Sequence, residues 1–348
     1  MSTGYFHQVH KQTPTRFWVN NPSGADTEKA IAAGAISCTT NPAFCSKLVK
    51  SDKEYLHSVI DSAIRETRND DEAADLVYQR TAKRVIERFR PLYEQSGGKC
   101  GFVTIQSDPR WDEDAKSVIR AMKSYRALGP NFMTKIPVTA PGIQAIEAAV
   151  EANVPICATE VFALSQAIAI CESYEKAAKR TGKRPPFYVT HISGIFDEYL
   201  EKVAKREGIK VSPEALKQAG CAIARKQYRL LKKRGYQTKL LGGGARGIHH
   251  FTELVGGEIE ITINWSTAEE LIGANTPVVS RIEAETPQPV IDELCEKFTA
   301  FRQAWFEDGL KVAEFEHYGP VQLFRNAFLN GYYVLLAEVV SRRHALAL

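Results

Sequence analysis

The sequence lacks most of the features that would set a protein apart from ordinary globular enzymes. Its seven cysteines are scattered from Cys38 to Cys295 with no CxxC pair, an odd count that supports neither a disulfide framework nor a zinc site. The opening residues MSTGYFHQVHKQTPTR lack the apolar core of a signal peptide, and no uninterrupted apolar run approaches the ~20 residues of a membrane span. A reducing, cytoplasmic setting is the expectation. Charge of one sign is missing too, since 45 basic residues against 41 acidic leave only +4 over 348 residues. That excess makes no electrostatic case for nucleic acid or an anionic membrane as a partner. No GxGxxG follows an early strand, no HxH or HExxH points to a metal, and no Pro/Gly/Ser linker, repeat or low-complexity segment divides the chain. Hydrophobic residues at 44% and charged residues at 25% exclude disorder as the main state.

What is present is alternation. Eight β-rich runs (Arg16–Asn20, Ala35–Thr39, Cys100–Gln106, Asn131–Val138, Val154–Thr159, Pro186–Ile192, Thr238–Leu241 and Glu258–Ile263) are separated by amphipathic helical stretches. Length alone suggests two domains at roughly 150 residues each, but α/β barrels exceed that guide as single domains. Eight βα units are the count that closes a (β/α)8 barrel, with an open doubly wound sheet as the alternative. The expectation is one barrel over 1–348, with a helical insert at 51–95 and a helical extension at 287–348. The apolar stretch Asn330–Val340 (NGYYVLLAEVV) either covers the barrel or makes a subunit contact, so a homo-oligomer stays open.

Lys135 is the most informative residue. It sits in FMTKIPVT, a run otherwise suited to burial. Burying an ammonium is costly and lowers its pKa, which turns the amine into a usable nucleophile near neutral pH. At the C-terminal end of a barrel strand such a lysine can attack a ketone and use the iminium as an electron sink. The plain alternative is a strand-end lysine that reaches water or pairs with a carboxylate. Other predicted strand ends are polar as well. Thr39-Thr40-Asn41-Pro42 closes the second, Gln106 the third, Thr159 the fifth, and Thr190 and His191 the sixth. Each alone reads as a cap or turn residue; converging on one lysine, they read as a site.

These segments resemble the transaldolase family, the Schiff-base-forming (β/α)8 enzymes that include transaldolases and fructose-6-phosphate aldolases. TTNP (Thr39–Pro42), FMTKIPVTAPGIQAIEA (Phe132–Ala148), ICATEVFALSQA (Ile156–Ala167) and LGGGAR (Leu241–Arg246) fall in the family's order. The resemblance implies Lys135 as the Schiff-base lysine and Asn41, with Thr39, as contacts to substrate hydroxyls. It implies Thr159 and Gln106 as holders of the catalytic water, and Thr190 as a substrate contact. Arg246, with the Gly243 and Gly244 backbone, would bind phosphate. It implies no cofactor and no metal.

Two departures stand out. The family's first-strand aspartate falls on Asn20 (or Asn21, if slipped by one), and an amide holds a hydroxyl without taking its proton. His191 is the candidate replacement base, or else a histidine filling space beside its strand. The arginine that transaldolases carry after the sixth strand is missing from Ser193-Gly194-Ile195, and the serine of the seventh-strand loop is Gly244. Of His249 and His250, which point to different faces, at most one would assist Arg246. The expected activity is transfer of a dihydroxyacetone unit from a ketose, phosphorylated or not, to an aldehyde acceptor. Class I aldolase cleavage is the nearest alternative, which Gln106 favours, and a non-catalytic sugar-binding barrel is the distant one.

Overall fold

The computed structural model describes residues 4–347. The chain runs α1 (Tyr5–Gln12), β1 (Arg16–Asn20), α2 (Gly24–Ala32), β2 (Ser37–Thr39), α3 (Phe44–Ser51), α4 (Lys53–Glu66), α5 (Asp70–Gln95) and β3 (Val103–Gln106). It continues α6 (Ala115–Tyr125), β4 (Phe132–Pro137), α7 (Ala140–Glu151), β5 (Ile156–Val161), α8 (Leu164–Thr181), β6 (Phe187–Ile192), α9 (Ser193–Glu207) and α10 (Pro213–Lys233). It ends β7 (Lys239–Gly243), α11 (His249–Thr252), β8 (Ile259–Asn264), α12 (Trp265–Ala274), α13 (Gln288–Lys297), α14 (Thr299–Trp305) and α15 (Gly319–Ala345). The eight strands pair in sequence order, all parallel, and β8 closes on β1. The molecule is a (β/α)8 barrel.

Local chemistry sets the element boundaries. Asn69 caps α5 by accepting from the Asp71 and Glu72 amides, and three acidic residues in its first turn suit the helix dipole. Thr139 caps α7 with Pro141 in the first turn, so Lys135 lies at the end of a strand that passes directly into a helix. Two strands run two residues past their expected ends. β7 runs on through Gly242 and Gly243, because these residues pair with His191 and Ile192. β5 runs on to Val161 through a bulge between Ala158 and Val161.

Alternation along the strands builds the interior. Trp18, Phe102, Met133, Cys157, Tyr188 and Leu241 form an apolar plug inside the barrel. Two residues further along their strands, on the same inward face, stand Asn20, Lys135, Thr159, Thr190 and Gly243. The larger apolar cluster lies between the strands and the helical shell.

The segment after β2 holds α4 and α5, and α15 crosses the mouth side of the barrel against α3, α4, α5 and α9. Arg342 pairs with Asp61 and Arg343 with Asp70, which tie the end of α15 to the insert. Tyr332, Leu335 and Val339 are buried, so one face of the 330–340 stretch packs within the chain; Tyr333 and Val334 on the other face are exposed. All seven cysteines are free thiols. No helix among the described residues is long and apolar enough to cross a membrane.

Candidate active site

Strand register brings the site together. Asn20 pairs with Asn264 and with Thr39, Gln106 with Lys135, Pro137 with Thr159, and Ile192 with Gly243. Partners across parallel strands share a face, so these side chains converge at the C-terminal mouth. There a cavity of about 200 Å³ is lined by Asn20, Asn21, Thr39, Asn41, Lys47, Lys135, Thr190, Gly243, Gly244, Arg246, Thr262 and Asn264, with Phe324, Ala327 and Phe328 of α15 as its roof. Among these lining residues there are three cations and no carboxylate.

Lys135 is buried, 5% exposed, with Nζ 3.5 Å from the Thr40 carbonyl and 5.2 Å from the centre of the Phe328 ring. Burial lowers its pKa from the usual ammonium range, with Cys157, Glu160 and Asp112 opposing. The first-strand position is an amide network. The Thr39 hydroxyl donates to Asn20 Oδ1 at 2.9 Å, and Asn20 Nδ2 donates to Asn264 Oδ1 at 2.9 Å. Lys47 Nζ donates to the same Asn264 oxygen at 2.9 Å. Asn21 and Asn41 hold each other by Asn21 Nδ2 to Asn41 Oδ1 at 3.0 Å and Asn41 N to Asn21 Oδ1 at 3.1 Å.

Gln106 and Thr159 lie beside Lys135 but behind the cavity wall, fully buried. Gln106 Nε2 donates to Asp112 Oδ2 at 3.4 Å and to Glu160 Oε1 at 3.3 Å. Glu160 has a left-handed backbone, φ +61°, at the β5 bulge, a conformation that costs a non-glycine residue on the order of 1 kcal/mol. Gln166 braces it, donating to the Glu160 and Val138 carbonyls and accepting from the Phe162 and Ala163 amides. Burial pushes the Glu160 carboxyl up to about 7 against the pull of Gln106, Lys135 and Arg325. Burial, then the Glu160 charge, also raises Asp112 well above the carboxylate range.

His191 does not join the site. It follows inward-facing Thr190 and so points outward, where Nε2 donates to the Gly220 carbonyl of α10 at 2.9 Å. Burial lowers its pKa to about 4. The expectation of His191 as a base facing the substrate is corrected by that placement: neighbours on a strand face opposite sides.

The anion side is built from backbone. Gly244 has φ +68° and packs against Ile192, where a Cβ would come within 2.5 Å of its Cγ2. A Cβ on Gly194 would lie 2.5 Å from the Gly244 carbonyl oxygen and 2.7 Å from the Arg246 amide nitrogen. The close approach of α9 to this loop thus excludes any side chain at Gly194. Arg246 Nε donates to Glu198 at 2.8 Å. Asp197, His249 and His250 bring donor atoms within 4.8 Å of one another. They act as a clamp: His250 Nε2 donates to Asp197 Oδ2 at 2.8 Å, and the Arg246 amide donates to His250 Nδ1 at 3.3 Å. Both His250 nitrogens are used in holding the loop, and neither histidine lines the cavity.

Sequence reasoning missed Lys47, Glu160, Asp112 and the α15 roof. Glu160 carried a signal of the same kind as Lys135, a charged residue within an apolar strand (ICATEVF). Lys47 carried none, because α3, the helix that follows β2, brings it to the mouth.

The transaldolase/fructose-6-phosphate aldolase family model matches residues 17–314. Transaldolase 1 of Streptomyces avermitilis is 27% identical over 219 residues, 59% of this chain and 56% of that protein. The transaldolase of Thermobifida fusca is 27% identical over 240 residues, 64% of each chain. That of Trichodesmium erythraeum is 25% identical over 279 residues, 74% of this chain and 71% of that one. The matched region thus spans 56–64% of the first two relatives' length. Among solved structures, a 2,3-dimethylmalate lyase overlaps 82% of the chain at 12% identity with a TM-score of 0.32, too weak a likeness to bear on function. With Lys135 at the end of the fourth barrel strand and a family match over residues 17–314, the chain belongs to the transaldolase/fructose-6-phosphate aldolase family.

Proposed function

We propose that this chain forms a Schiff base between Lys135 and the C2 carbonyl of a ketose phosphate and passes the dihydroxyacetone unit to an aldehyde acceptor. The observation that carries this reading is a buried lysine in a barrel-mouth cavity that two further basic side chains, amides and hydroxyls line, with no carboxylate. Burial increases the free-amine share of Lys135 near neutral pH, which nucleophilic attack requires. Attack gives a carbinolamine, and loss of water gives the iminium. The iminium draws electrons from the C3–C4 bond, which breaks as the C4 hydroxyl passes its proton through water to solvent at the mouth, and an enamine stays on Lys135. Thr39, Asn41 and Thr190 offer partners for the sugar hydroxyls, and Asn20 holds one without taking its proton. Arg246, Lys47 and the Gly243–Gly244 backbone suit the phosphate. The Phe324 and Phe328 roof limits water at the enamine, which favours transfer over hydrolysis.

Borohydride reduction in the presence of fructose 6-phosphate tests the reading. A mass increase on the peptide carrying Lys135, absent in Lys135→Ala, is expected. No adduct with any ketose tested would overturn it. Adding an aldose phosphate then separates transfer, which gives a new ketose, from cleavage, which leaves free dihydroxyacetone.

A further inference from the structure

We propose that Glu160, paired with Asp112 across the Gln106 amide, is the proton donor and acceptor that serves Lys135 during Schiff-base formation and hydrolysis. This rests on the Schiff-base reading and adds to it an acid–base group at a position the resemblance did not single out.

Four observations support the assignment. First, one amide bridges two carboxyl groups, Gln106 Nε2 reaching Asp112 and Glu160 at 3.4 and 3.3 Å, and all three residues are at least 97% buried. Two carboxylates this close in a dry cluster do not both ionise, so one proton is shared between them. Second, among the described residues neither carboxyl forms an ion pair within 4.0 Å, and Arg325 above them is taken by Glu113. The charges that face the pair are Lys135 from β4 and Arg325 from α15, with Asp108 beside Asp112 and Cys157 beside Lys135. Third, Gln106 Oε1, Asp112 Oδ1 and Thr159 Oγ1 are buried with no hydrogen bond from the protein. Together they supply the acceptors and the hydroxyl that a relaying water requires. Fourth, the β5 bulge falls at this residue. A regular strand would turn Glu160 outward after inward-facing Thr159. The left-handed backbone at Glu160, braced by Gln166, brings its carboxyl to Gln106 instead.

The protons balance. Neutral Lys135 adds to the C2 carbonyl, and one N–H proton moves to the oxygen to give the carbinolamine. The C2–O bond then breaks, and the hydroxyl leaves as water with the proton of the Glu160 carboxyl. The carboxylate left behind faces the new iminium cation. Hydrolysis returns that proton to Glu160 as water adds to C2.

The test is the rate of borohydride-trapped adduct formation against pH for wild type, Glu160→Gln and the double variant Glu160→Gln/Gln106→Glu. Wild type should slow on the alkaline side as the shared proton is lost. Glu160→Gln should trap about 10²–10⁴-fold more slowly, without the alkaline limb and with KM for the ketose within threefold. The double variant, which moves the carboxyl to the neighbouring strand, should recover at least tenfold over Glu160→Gln. Trapping by Glu160→Gln within threefold of wild type overturns the proposal. So does a slower rate that keeps the wild-type pH profile, which would mark a purely structural role. If Glu160→Gln does not fold, a wild-type profile with no alkaline limb overturns it. If wild type traps no ketose, the Schiff-base reading has itself failed, and this assignment falls with it.

Discussion

Asn20 isolates the chemical difference between this chain and the family pattern. It stands inward at the end of β1, where the resemblance calls for an aspartate, and both ends of its amide are used, by the Thr39 hydroxyl and by Asn264. A carboxylate there would keep the Thr39 bond; it loses the donor to Asn264, whose amide can turn its Nδ2 toward the new oxygen, and Lys47, now held at Asn264, is a nearby cation. Asn20→Asp is therefore structurally tolerable and gives the cavity a base beside the C4 hydroxyl. If proton removal limits the bond cleavage, kcat/KM on fructose 6-phosphate should rise at least tenfold in a coupled assay, within the ~10²–10⁴ a general base contributes. An unchanged value would mean that C–C cleavage is not limited by that proton. The same scale shows what the sequence could reveal. Lys135 and Thr190 were legible as polar residues at strand ends and Asn20 through the family resemblance, and period two carries all three inward. His191 was misplaced against that same rule, since it follows Thr190 on a strand.

Among the elements, α15 contributes most that its own pattern hides. Its apolar residues are distributed around the helix, so the sequence left open whether it covers the barrel or a neighbouring subunit. Within the chain, one close approach fixes its place. Gly331 sits against the start of α3, and a Cβ there would lie 2.6 Å from the Ala43 Cα. Helix propensity favours alanine over glycine by ~0.5–1 kcal/mol, whereas forcing a methyl against backbone costs about 1–3 kcal/mol. The second effect wins. Gly331→Ala should lower stability by about 1–2 kcal/mol in urea unfolding, with little change in m value. It should also raise KM for the ketose, because Ala43 and Phe328 line the same cavity. A stabilised variant would show that α15 is free to shift away from the mouth. The β5 bulge was illegible for a related reason. Regular alternation predicts an outward Glu160, and only the packing around Gln166 reverses it.

For the whole molecule, a net charge of +4 conveys little, because 45 basic and 41 acidic residues nearly cancel. What decides anion recognition is where three of those cations fall. Lys135 comes from a strand, Arg246 from the loop after β7, and Lys47 from α3, the helix that follows β2; only the closed barrel brings them to one cavity. The barrel was legible from eight alternating runs, yet this convergence was not, since Lys47 has no motif and Gly194 looked like a loss. In the structure Gly194 is required by the packing of α9 on the Arg246 loop, and Lys47 supplies a second cation in the cavity that Arg246 lines. A charge-assisted hydrogen bond contributes roughly 1.5–3 kcal/mol, which corresponds to a factor of about 10–100 in affinity. Lys47→Ala and Arg246→Ala should each raise KM for fructose 6-phosphate by about that factor while changing KM for unphosphorylated fructose or dihydroxyacetone less than threefold. Added salt should weaken only the phosphorylated substrate, and less so in either variant, because a screened cation has less to lose. Equal losses on both substrates would mean that these side chains hold the fold of the mouth rather than the anion, and that the natural ketose carries no phosphate.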